Sequence, residues 1–327
     1  MRVYVRYEPN RSDDLFEGAR VRKNLKASLE AVSCQWVSSL LDFPDIIHLL
    51  SPLDENLLHD TKASGLKTVV SALYCENDPE ASFLLDDGSL REDSRRMLND
   101  ADLVLVPNVW AQNLLIKEGV KNRIEILPLG VSLERFTSDS PALKEAFYHY
   151  FMVDSGITYA LVSGSYEDKD GLSGLESLAS LNPNIEFFFF GLSSKAEKTM
   201  NIARKLNKES PPNVHYSDIV CDDVYRSGMM SCSFYLSLSY RHPDAIIPLE
   251  AMASGKQIFR LGPSFDGDPL SNGKLAICHE DIYLCSEAMA KFIHSKSKPT
   301  IIEGRKAAES CSIPTTGRHL LAFYQSL

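Results

Sequence analysis

The sequence lacks the marks of a membrane-spanning or exported chain. No apolar run approaches the roughly 20 residues that a transmembrane helix requires. From Met1 the chain passes straight into a strand-like pattern, so we expect no cleaved signal peptide. Its seven cysteines form no CxxC pair and have no histidine at zinc-site spacing, which is typical of reduced thiols in the cytosol. We predict a cytoplasmic protein, either dissolved or in peripheral contact with the inner face of the membrane.

The sequence also lacks an excess of positive charge and a dinucleotide-binding fingerprint. With 34 Lys and Arg against 44 Asp and Glu, the formal net charge is −10. A nucleic-acid-binding surface is usually basic, so the charge argues against general nucleic-acid binding and leaves room only for a local basic patch. No GxGxxG follows the early strands, which disfavours a Rossmann oxidoreductase.

What is present is the composition of a soluble globular protein, 44% apolar and 24% charged. A chain of 327 residues exceeds one typical hydrophobic core, so two domains are expected. The softer pattern after Phe136 predicts a linker near Thr137. We therefore predict an N-terminal domain over 1–137, a second domain over 138–312, and a last helix over 313–327 that packs back on the first domain.

Short apolar strands alternate with helical segments along the chain. In the first half, strands are predicted at 3–7, 45–51, 67–74, 102–108 and 123–130, with helices near 54–64, 90–100 and 109–118. A second series of the same kind begins near Tyr159. Buried strands that alternate with helices indicate βαβ units and parallel sheets. The fold class predicted is therefore α/β, with two Rossmann-like domains whose parallel sheets face each other across a cleft.

A helix with several basic residues follows the first strand. Gly18 at its start suits close approach of a backbone to a ligand. The cations Arg20, Arg22, Lys23 and Lys26 are open to two interpretations. Either they form a solvated helix face, or they contact an anionic acceptor or lipid headgroups.

The stretch Ser233–Gly255 combines a strand, a loop and a short helix. Phe234 to Leu238 reads as a buried strand. Pro248 near a helix start and Gly255 beyond its end predict a short helix. Such a helix at the carboxyl end of a parallel strand lies where α/β sheets bind ligands. Its amide groups favour a phosphate, and Glu250 is either a hydrogen-bond acceptor for ribose hydroxyls or an ordinary surface residue.

Four segments together resemble a known family. They are FEGARVRKNLKASLE, NDADLVLVPNVWAQNLLIKEGVKNRIEILPLGVSLERF, VSGSYEDKDG and PLEAMASGKQIF. Their order is similar to that in the GT-B glycosyltransferases of family 4, and the likeness extends over nearly the whole chain. Its most specific parts are 126–136, which resembles IPNGVDxxxF, and Pro248–Gly255, which resembles PLEAMASG. The length and the start MRVYVRYE further resemble bacterial members that glycosylate diacylglycerol glycolipids.

The resemblance implies a donor site that departs from the family pattern. The family motif has two glutamates separated by seven residues; Glu250 matches the second, which holds the ribose, and His242 stands in place of the first. Gly164 is kept after the first strand of the second domain, whereas Ser165 replaces the usual Arg. Lys169 then becomes the cation expected beside the diphosphate.

Three further positions follow from the same resemblance. Leu73 falls where the family has a histidine, while Gly18 matches the glycine loop near the donor phosphates. The amides near Ile247 are expected to contact the diphosphate. No catalytic residue is assigned. Adjacent loop carboxylates, Asp86 and Asp87, give only weak evidence for a metal, and solvation is favoured.

The activity implied is retaining transfer of a sugar from a UDP- or GDP-linked donor to a glycolipid or glycan, without an obligatory metal or other cofactor. Losing an Arg, a His and a Glu removes interactions that would stabilise the leaving diphosphate. The alternative is therefore an inactive GT-B protein that partners or regulates another glycosyltransferase.

Overall fold

The structure is a computed structural model that describes residues 1–6, 17–73, 83–85, 88–137, 140–166, 168–191, 196–217, 220–238, 240, 243, 246–295 and 299–327. The chain divides into two compact units. Unit 1 contains 1–130 and 311–327, and unit 2 contains 131–310. Among the described residues, no helix combines the length and apolarity needed to cross a membrane.

Unit 1 is built on a six-stranded sheet. The strands are β1 (Arg2–Arg6), β2 (Gln35–Val37), β3 (Ile46–Leu49), β4 (Lys67–Ser71), β5 (Leu103–Val106) and β6 (Ile124–Ile126). Their order is β2-β1-β3-β4-β5-β6, with every neighbouring pair parallel. All residues of the inner strands β3 and β5 are buried, as expected for parallel strands covered on both faces. The helices are α1 (Glu17–Ala31), α2 (Glu55–Ala63), α3 (Glu92–Asp100), α4 (Val109–Lys117) and the C-terminal α12 (Ile313–Gln325).

Unit 2 also contains a six-stranded parallel sheet. Its strands are β7 (Tyr159–Gly164), β8 (Glu186–Gly191), β9 (Val214–Ser217), β10 (Phe234–Ser237), β11 (Ile258–Leu261) and β12 (Ala276–His279). Their order is β12-β11-β10-β7-β8-β9, and every neighbouring pair is parallel. Its helices are α5 (Pro141–Phe151), α6 (Lys169–Leu181), α7 (Ala196–Glu209), α8 (Asp222–Ser231), α9 (Ile247–Ala253), α10 (Ile282–His294) and α11 (Pro299–Ser310). The two parallel sheets confirm the predicted α/β class with two Rossmann-like domains.

Polar caps define where several helices begin. The side chains of Asp54, Asn108, Asp168 and Asp281 each accept a hydrogen bond from the backbone amide three residues later, at 2.9–3.2 Å. A cap of this kind satisfies an amide that has no partner within the helix and stabilises the helix by about 1 kcal/mol.

The observed elements differ from the sequence prediction in three places. Strand β2 was not predicted, because three residues at a sheet edge are too few to show a strand pattern. Helices α5 and α11 were also not predicted. Helix α5 starts at Pro141, where the linker was expected to end, and its buried Phe147 stacks on Tyr159 with ring centroids 4.6 Å apart.

The segment 131–137 was assigned to the first domain from the sequence, but its contacts place it in unit 2. The Arg226 guanidinium donates to the Arg135 carbonyl at 2.8 and 3.0 Å. The Arg135 side chain in turn pairs with Asp222 of α8. The unit boundary therefore lies between Gly130 and Val131 rather than after Thr137.

The C-terminal helix is an integral part of unit 1. Helix α12 packs directly against α1, and a Cβ on Gly317 would lie 2.2 Å from the Ser28 carbonyl oxygen. Such contact leaves no space for a side chain, so a glycine is required at this crossing. On the next turns of α12, Leu320 and Tyr324 are buried in the core of unit 1.

Tyr324 also contacts the most deeply buried histidine of the described residues. His48 of β3 is fully buried; its Nδ1 lies 2.6 Å from Tyr324 Oη and its Nε2 lies 2.7 Å from Ser71 Oγ on β4. Burial lowers the pKa of His48 from its ordinary value of 6.5 to about 3, because the interior disfavours the charged imidazolium. His48 is therefore neutral in the folded protein.

This burial predicts an acid-sensitive contribution to stability. Between pH 6.5 and about 3, the unfolded chain binds a proton at His48 that the folded chain does not. The contribution of His48 to the free energy of unfolding is thus fully present above pH 6.5. It decreases by about 1.4 kcal/mol per pH unit as the pH falls below that value. Urea unfolding between pH 7 and 5 should show a shallower pH dependence for His48→Gln than for the wild type.

The His59→Gln variant is the matched control, because the His59 side chain is 84% exposed and stays in water in both states. It should keep the wild-type dependence. Equal slopes for His48→Gln and the wild type would contradict the assignment of a neutral, buried His48.

Candidate functional site

The candidate donor site lies at the switch point of the unit 2 sheet. Strand β7 is flanked by β8 on one side and β10 on the other, and the crevice outside the carboxyl ends of such strands is where α/β sheets bind ligands. The ends of β7 and β10 come together there. A Cβ on Gly164 would lie 3.3 Å from Leu238 Cβ and 3.0 Å from the Phe189 ring. The absence of a side chain at Gly164 thus allows this close packing.

Helix α6 starts beside the end of β7 and carries the predicted cation. Asp168 caps the helix and is buried, whereas Lys169 at its first position is exposed. Ser165, in place of the expected Arg, is also buried. Lys169 is therefore available to an anion, but the Asp168 carboxylate beside it opposes a negative ligand.

Tyr240 brings the loop after β10 against α6. A Cβ on Gly174 would lie 3.0 Å from the Tyr240 hydroxyl. Burial, together with the negative charges of Asp168 and Asp170, raises the pKa of Tyr240. Its phenol therefore stays protonated and able to donate a hydrogen bond in this crevice.

Glu250 lies in the first turn of α9 and is only 2% exposed. The interpretation of Glu250 as an ordinary surface residue is therefore wrong. The Tyr225 hydroxyl of α8 donates to Glu250 Oε2 at 2.5 Å. A carboxylate has two oxygens and about four acceptor positions; this bond occupies one of them and fixes the orientation of the carboxylate. Ile247, three residues earlier, is buried at the start of the same helix.

Sequence reasoning missed Tyr225, because nothing in the pattern of α8 marks it. It also missed a buried ion pair, Arg260 Nη1 to Asp268 Oδ2 at 2.5 Å. Arg260 was hidden within the apolar run of β11, and Ser271 and the Phe265 ring also contact it. Removing one partner of such a pair typically costs about 3–5 kcal/mol, so the pair fixes the loop after β11.

The remaining predicted residues either belong to unit 1 or fall outside the described residues. His242 is outside the described residues, as are Asp86 and Asp87. Gly18 is buried in the first turn of α1 in unit 1. Arg20 is also buried, at 3% exposure, so the interpretation of a solvated helix face is wrong for this residue.

Unit 1 contains a pocket of its own, about 660 Å³ including space open to solvent. It lies at the carboxyl ends of β3 to β6 and beneath α1. The lining is mostly apolar and includes Leu73, which stands where the resemblance expects a histidine. The other residues that line it are Val21, Arg22, Leu25, Leu50, Ser71, Leu105, Val106, Pro107, Leu127, Pro128, Leu129, Gly130 and Thr316.

The described residues hold no group of three or more His, Cys, Asp or Glu side chains that could bind a metal. Their cysteines are all free thiols. Burial raises the pKa of Cys232 to about 11 and that of Cys285 to about 12. These two thiols are therefore protonated and inert as nucleophiles.

Comparison with known proteins gives relatives but no family assignment. No family model matches the chain. The chain is similar to the processive diacylglycerol alpha-glucosyltransferase of Acholeplasma laidlawii, with 21% identity over 310 residues, covering 92% of this chain and 91% of the relative.

Solved structures share the architecture over nearly the full length. Sucrose-phosphate synthase from Thermosynechococcus elongatus has a TM-score of 0.77 at 11% identity, covering 99% of this chain and 98% of the other. HepE from Anabaena, in complex with UDP-glucose, has a TM-score of 0.70 at 12% identity, covering 100% and 99%. With its two six-stranded parallel sheets, the chain has the GT-B fold.

Proposed function

We propose that the chain is a retaining glycosyltransferase of family 4 that transfers a sugar from a UDP- or GDP-linked donor to a lipid or glycan acceptor. The observation that carries the proposal is the buried carboxylate of Glu250, oriented by Tyr225 beside the switch point of unit 2. Two similar proteins support it: HepE from Anabaena was solved in complex with UDP-glucose and with UDP, and the sequence relative from Acholeplasma is a diacylglycerol glucosyltransferase.

Each residue has a role in this proposal. Glu250 accepts hydrogen bonds from the ribose hydroxyls, and His242 contacts the donor sugar. Lys169 and the amides near Ile247 bind the diphosphate, where positive charge and donors stabilise the leaving group. Gly18 remains the predicted contact of the first domain with the donor phosphates.

The proposed mechanism needs no metal and no protein general base. The leaving phosphate accepts the proton of the attacking acceptor hydroxyl while the anomeric configuration is retained. Asp168 shapes this chemistry, because its buried carboxylate repels the diphosphate and makes the positive charge of Lys169 more important. The alternative, an inactive partner of another glycosyltransferase, predicts that the donor crevice no longer binds nucleotides.

Calorimetric titration with UDP and GDP tests the donor site. We expect saturable binding of one of them to the wild type and a loss of about 10-fold or more in affinity for Glu250→Gln, because hydrogen bonds to a charged group are worth about 1.5–3 kcal/mol. Glutamine keeps the size of the side chain and can still accept from Tyr225. Glu280→Gln, at an exposed position of unit 2, should bind like the wild type.

Binding of neither nucleotide to the wild type would remove the enzyme proposal and favour the inactive alternative. Transfer or hydrolysis of a donor sugar by the isolated chain would remove the inactive alternative instead.

The Tyr225→Phe variant separates orientation of the carboxylate from its charge. Loss of the donor at 2.5 Å leaves Glu250 charged but less constrained, so we expect nucleotide affinity to fall about 3- to 10-fold, less than for Glu250→Gln. A drop in unfolding free energy of about 1–3 kcal/mol should accompany it. Tyr283→Phe, at a 70% exposed tyrosine, is the control. Unchanged affinity in Tyr225→Phe would exclude an orienting role.

Peripheral membrane contact is the second part of the proposal, and a turn of unit 1 supports it. Leu41 and Phe43, after β2, are 83% and 81% exposed. Phe43 has φ of +50°, a conformation that is unusual for a bulky residue. An exposed apolar pair held in this way is suited to insertion into a bilayer surface.

Co-sedimentation with lipid vesicles tests this contact. We expect Leu41→Ser with Phe43→Ser to lower vesicle binding about 10-fold or more, since burying each side chain is worth about 1.5–3 kcal/mol. Met152→Ser in unit 2, at a residue that is 91% exposed, should leave binding unchanged. Equal binding of the double variant and the wild type would contradict insertion of this turn.

A further inference from the structure

The unit 1 pocket is mostly apolar, but its polar groups are few and specifically placed. Of the side chains that line it, Arg22 alone is charged, and Ser71 and Thr316 supply the hydroxyls. Thr316 already donates to the Pro128 carbonyl at 3.4 Å. The Gly130 carbonyl already accepts from Asn24 Nδ2 at 2.8 Å. Besides the guanidinium of Arg22 at one wall, the Ser71 hydroxyl is therefore the lining side chain that supplies a neutral hydrogen-bond donor.

Hydrogen bonds from Tyr324 to His48 and from His48 to Ser71 determine the direction of the Ser71 hydroxyl proton. Tyr324 is 2% exposed, and burial raises its pKa, so the phenol keeps its proton. Within the described part of the chain, the one hydrogen-bond partner of that hydroxyl is His48 Nδ1, at 2.6 Å. A buried O–H without an acceptor is costly, so Tyr324 donates and Nδ1 is the bare nitrogen.

The tautomer of His48 follows from that assignment. A neutral imidazole carries one proton, and because Nδ1 accepts, the proton is on Nε2. Nε2–H then donates to Ser71 Oγ, 2.7 Å away. Since Ser71 Oγ accepts this bond, its own O–H is directed to another acceptor, and the described residues provide none.

We propose that the unit 1 pocket binds the acyl-glycerol end of a lipid acceptor and that Ser71 donates a hydrogen bond to one of its ester oxygens. The choice of a lipid rests on the proposed function and on the lining of the pocket. An ester within an alkyl body needs one donor and otherwise apolar contact. A glycan would bring many hydroxyls into a site that cannot pair them, and each buried unpaired hydroxyl weakens binding.

Tyr324 and His48 are positioning residues in this proposal. Neither one contacts the ligand. They hold the Ser71 proton toward the pocket by fixing one tautomer, and Leu73 adds apolar surface at the position where the resemblance expects a histidine. The pocket is thus selective for a ligand that carries a hydrogen-bond acceptor on an alkyl chain.

Calorimetric titration of the full chain with monomeric dioctanoylglycerol, without any nucleotide, tests the subsite. We expect saturable binding that weakens about 3- to 10-fold in Ser71→Ala and is kept in Ser71→Thr, which retains the hydroxyl. Ser177→Ala, at an exposed serine of unit 2, is the matched control and should bind like the wild type. Leu73→Trp fills the pocket and should abolish binding while leaving the His48 contacts in place.

The tautomer of His48 can be measured directly, and a purely structural role of Tyr324 and His48 would not require one particular tautomer. In protein with 15N-labelled histidine, the imidazole shifts of His48 should show a proton on Nε2 and a bare Nδ1. Tyr324→Phe should disturb this pattern and weaken dioctanoylglycerol binding, whereas Tyr283→Phe should do neither.

Three results would overturn the proposal. The first is a proton on Nδ1 of His48 in the wild type, and the second is equal dioctanoylglycerol affinity of Ser71→Ala and the wild type. The third concerns maltose, used as a glycan probe: maltose binding that depends on Ser71, with dioctanoylglycerol binding that does not. Because the donor site is titrated separately in unit 2, nucleotide binding without a Ser71 effect would refute the subsite alone. Lipid binding that depends on Ser71, without nucleotide binding, would refute the proposed function alone.

Discussion

Parallel pairing of the strands is the constraint on which the rest of this structure depends. All neighbouring strands in both six-stranded sheets run in the same direction. Parallel strands bring every carboxyl end to one edge of the sheet, so residues that are distant in sequence meet there. In unit 2 this brings Gly164 against Leu238, and in unit 1 it gathers the ends of β3 to β6 around one pocket.

The unit 2 crevice and the unit 1 pocket differ in the charge of the side chains around them. In unit 2, a carboxylate is kept in a buried position by a phenol, and another carboxylate caps the helix that carries the one predicted cation. Among the described residues, this crevice has carboxylate acceptors for hydroxyl groups, and Lys169 is the predicted cation beside them. In unit 1 the lining of the pocket is mostly apolar. There the neutral His48 is hydrogen-bonded to Tyr324 through Nδ1 and to Ser71 through Nε2.

The C-terminal helix links stability and site chemistry within unit 1. Gly317 allows α12 to lie against α1, and this packing places Thr316 in the pocket wall and Tyr324 beside His48. The same burial that lowers the pKa of His48 keeps it neutral, and only a neutral imidazole can accept on one nitrogen and donate from the other. Acid sensitivity of the fold and direction of the Ser71 proton therefore have one physical cause.

The sequence by itself predicted an α/β fold with parallel sheets, because short apolar strands alternating with helices have few other compact solutions. It also placed Glu250 in the first turn of a short helix, since the signals for that helix, Pro248 and Gly255, are local in sequence. Strand β2 and helix α5 were not predictable from pattern, as an edge strand of three residues and a helix beside a linker give weak periodicity.

Only the tertiary structure decided which side chains are buried and what they contact. Glu250 and Tyr225 are 25 residues apart, and His48 and Tyr324 are 276 apart. No local pattern records such pairs, because burial and hydrogen bonding depend on packing between elements that the sequence separates. Tyr225 orients the Glu250 carboxylate, and His48 orients the Ser71 hydroxyl, only once that packing is complete.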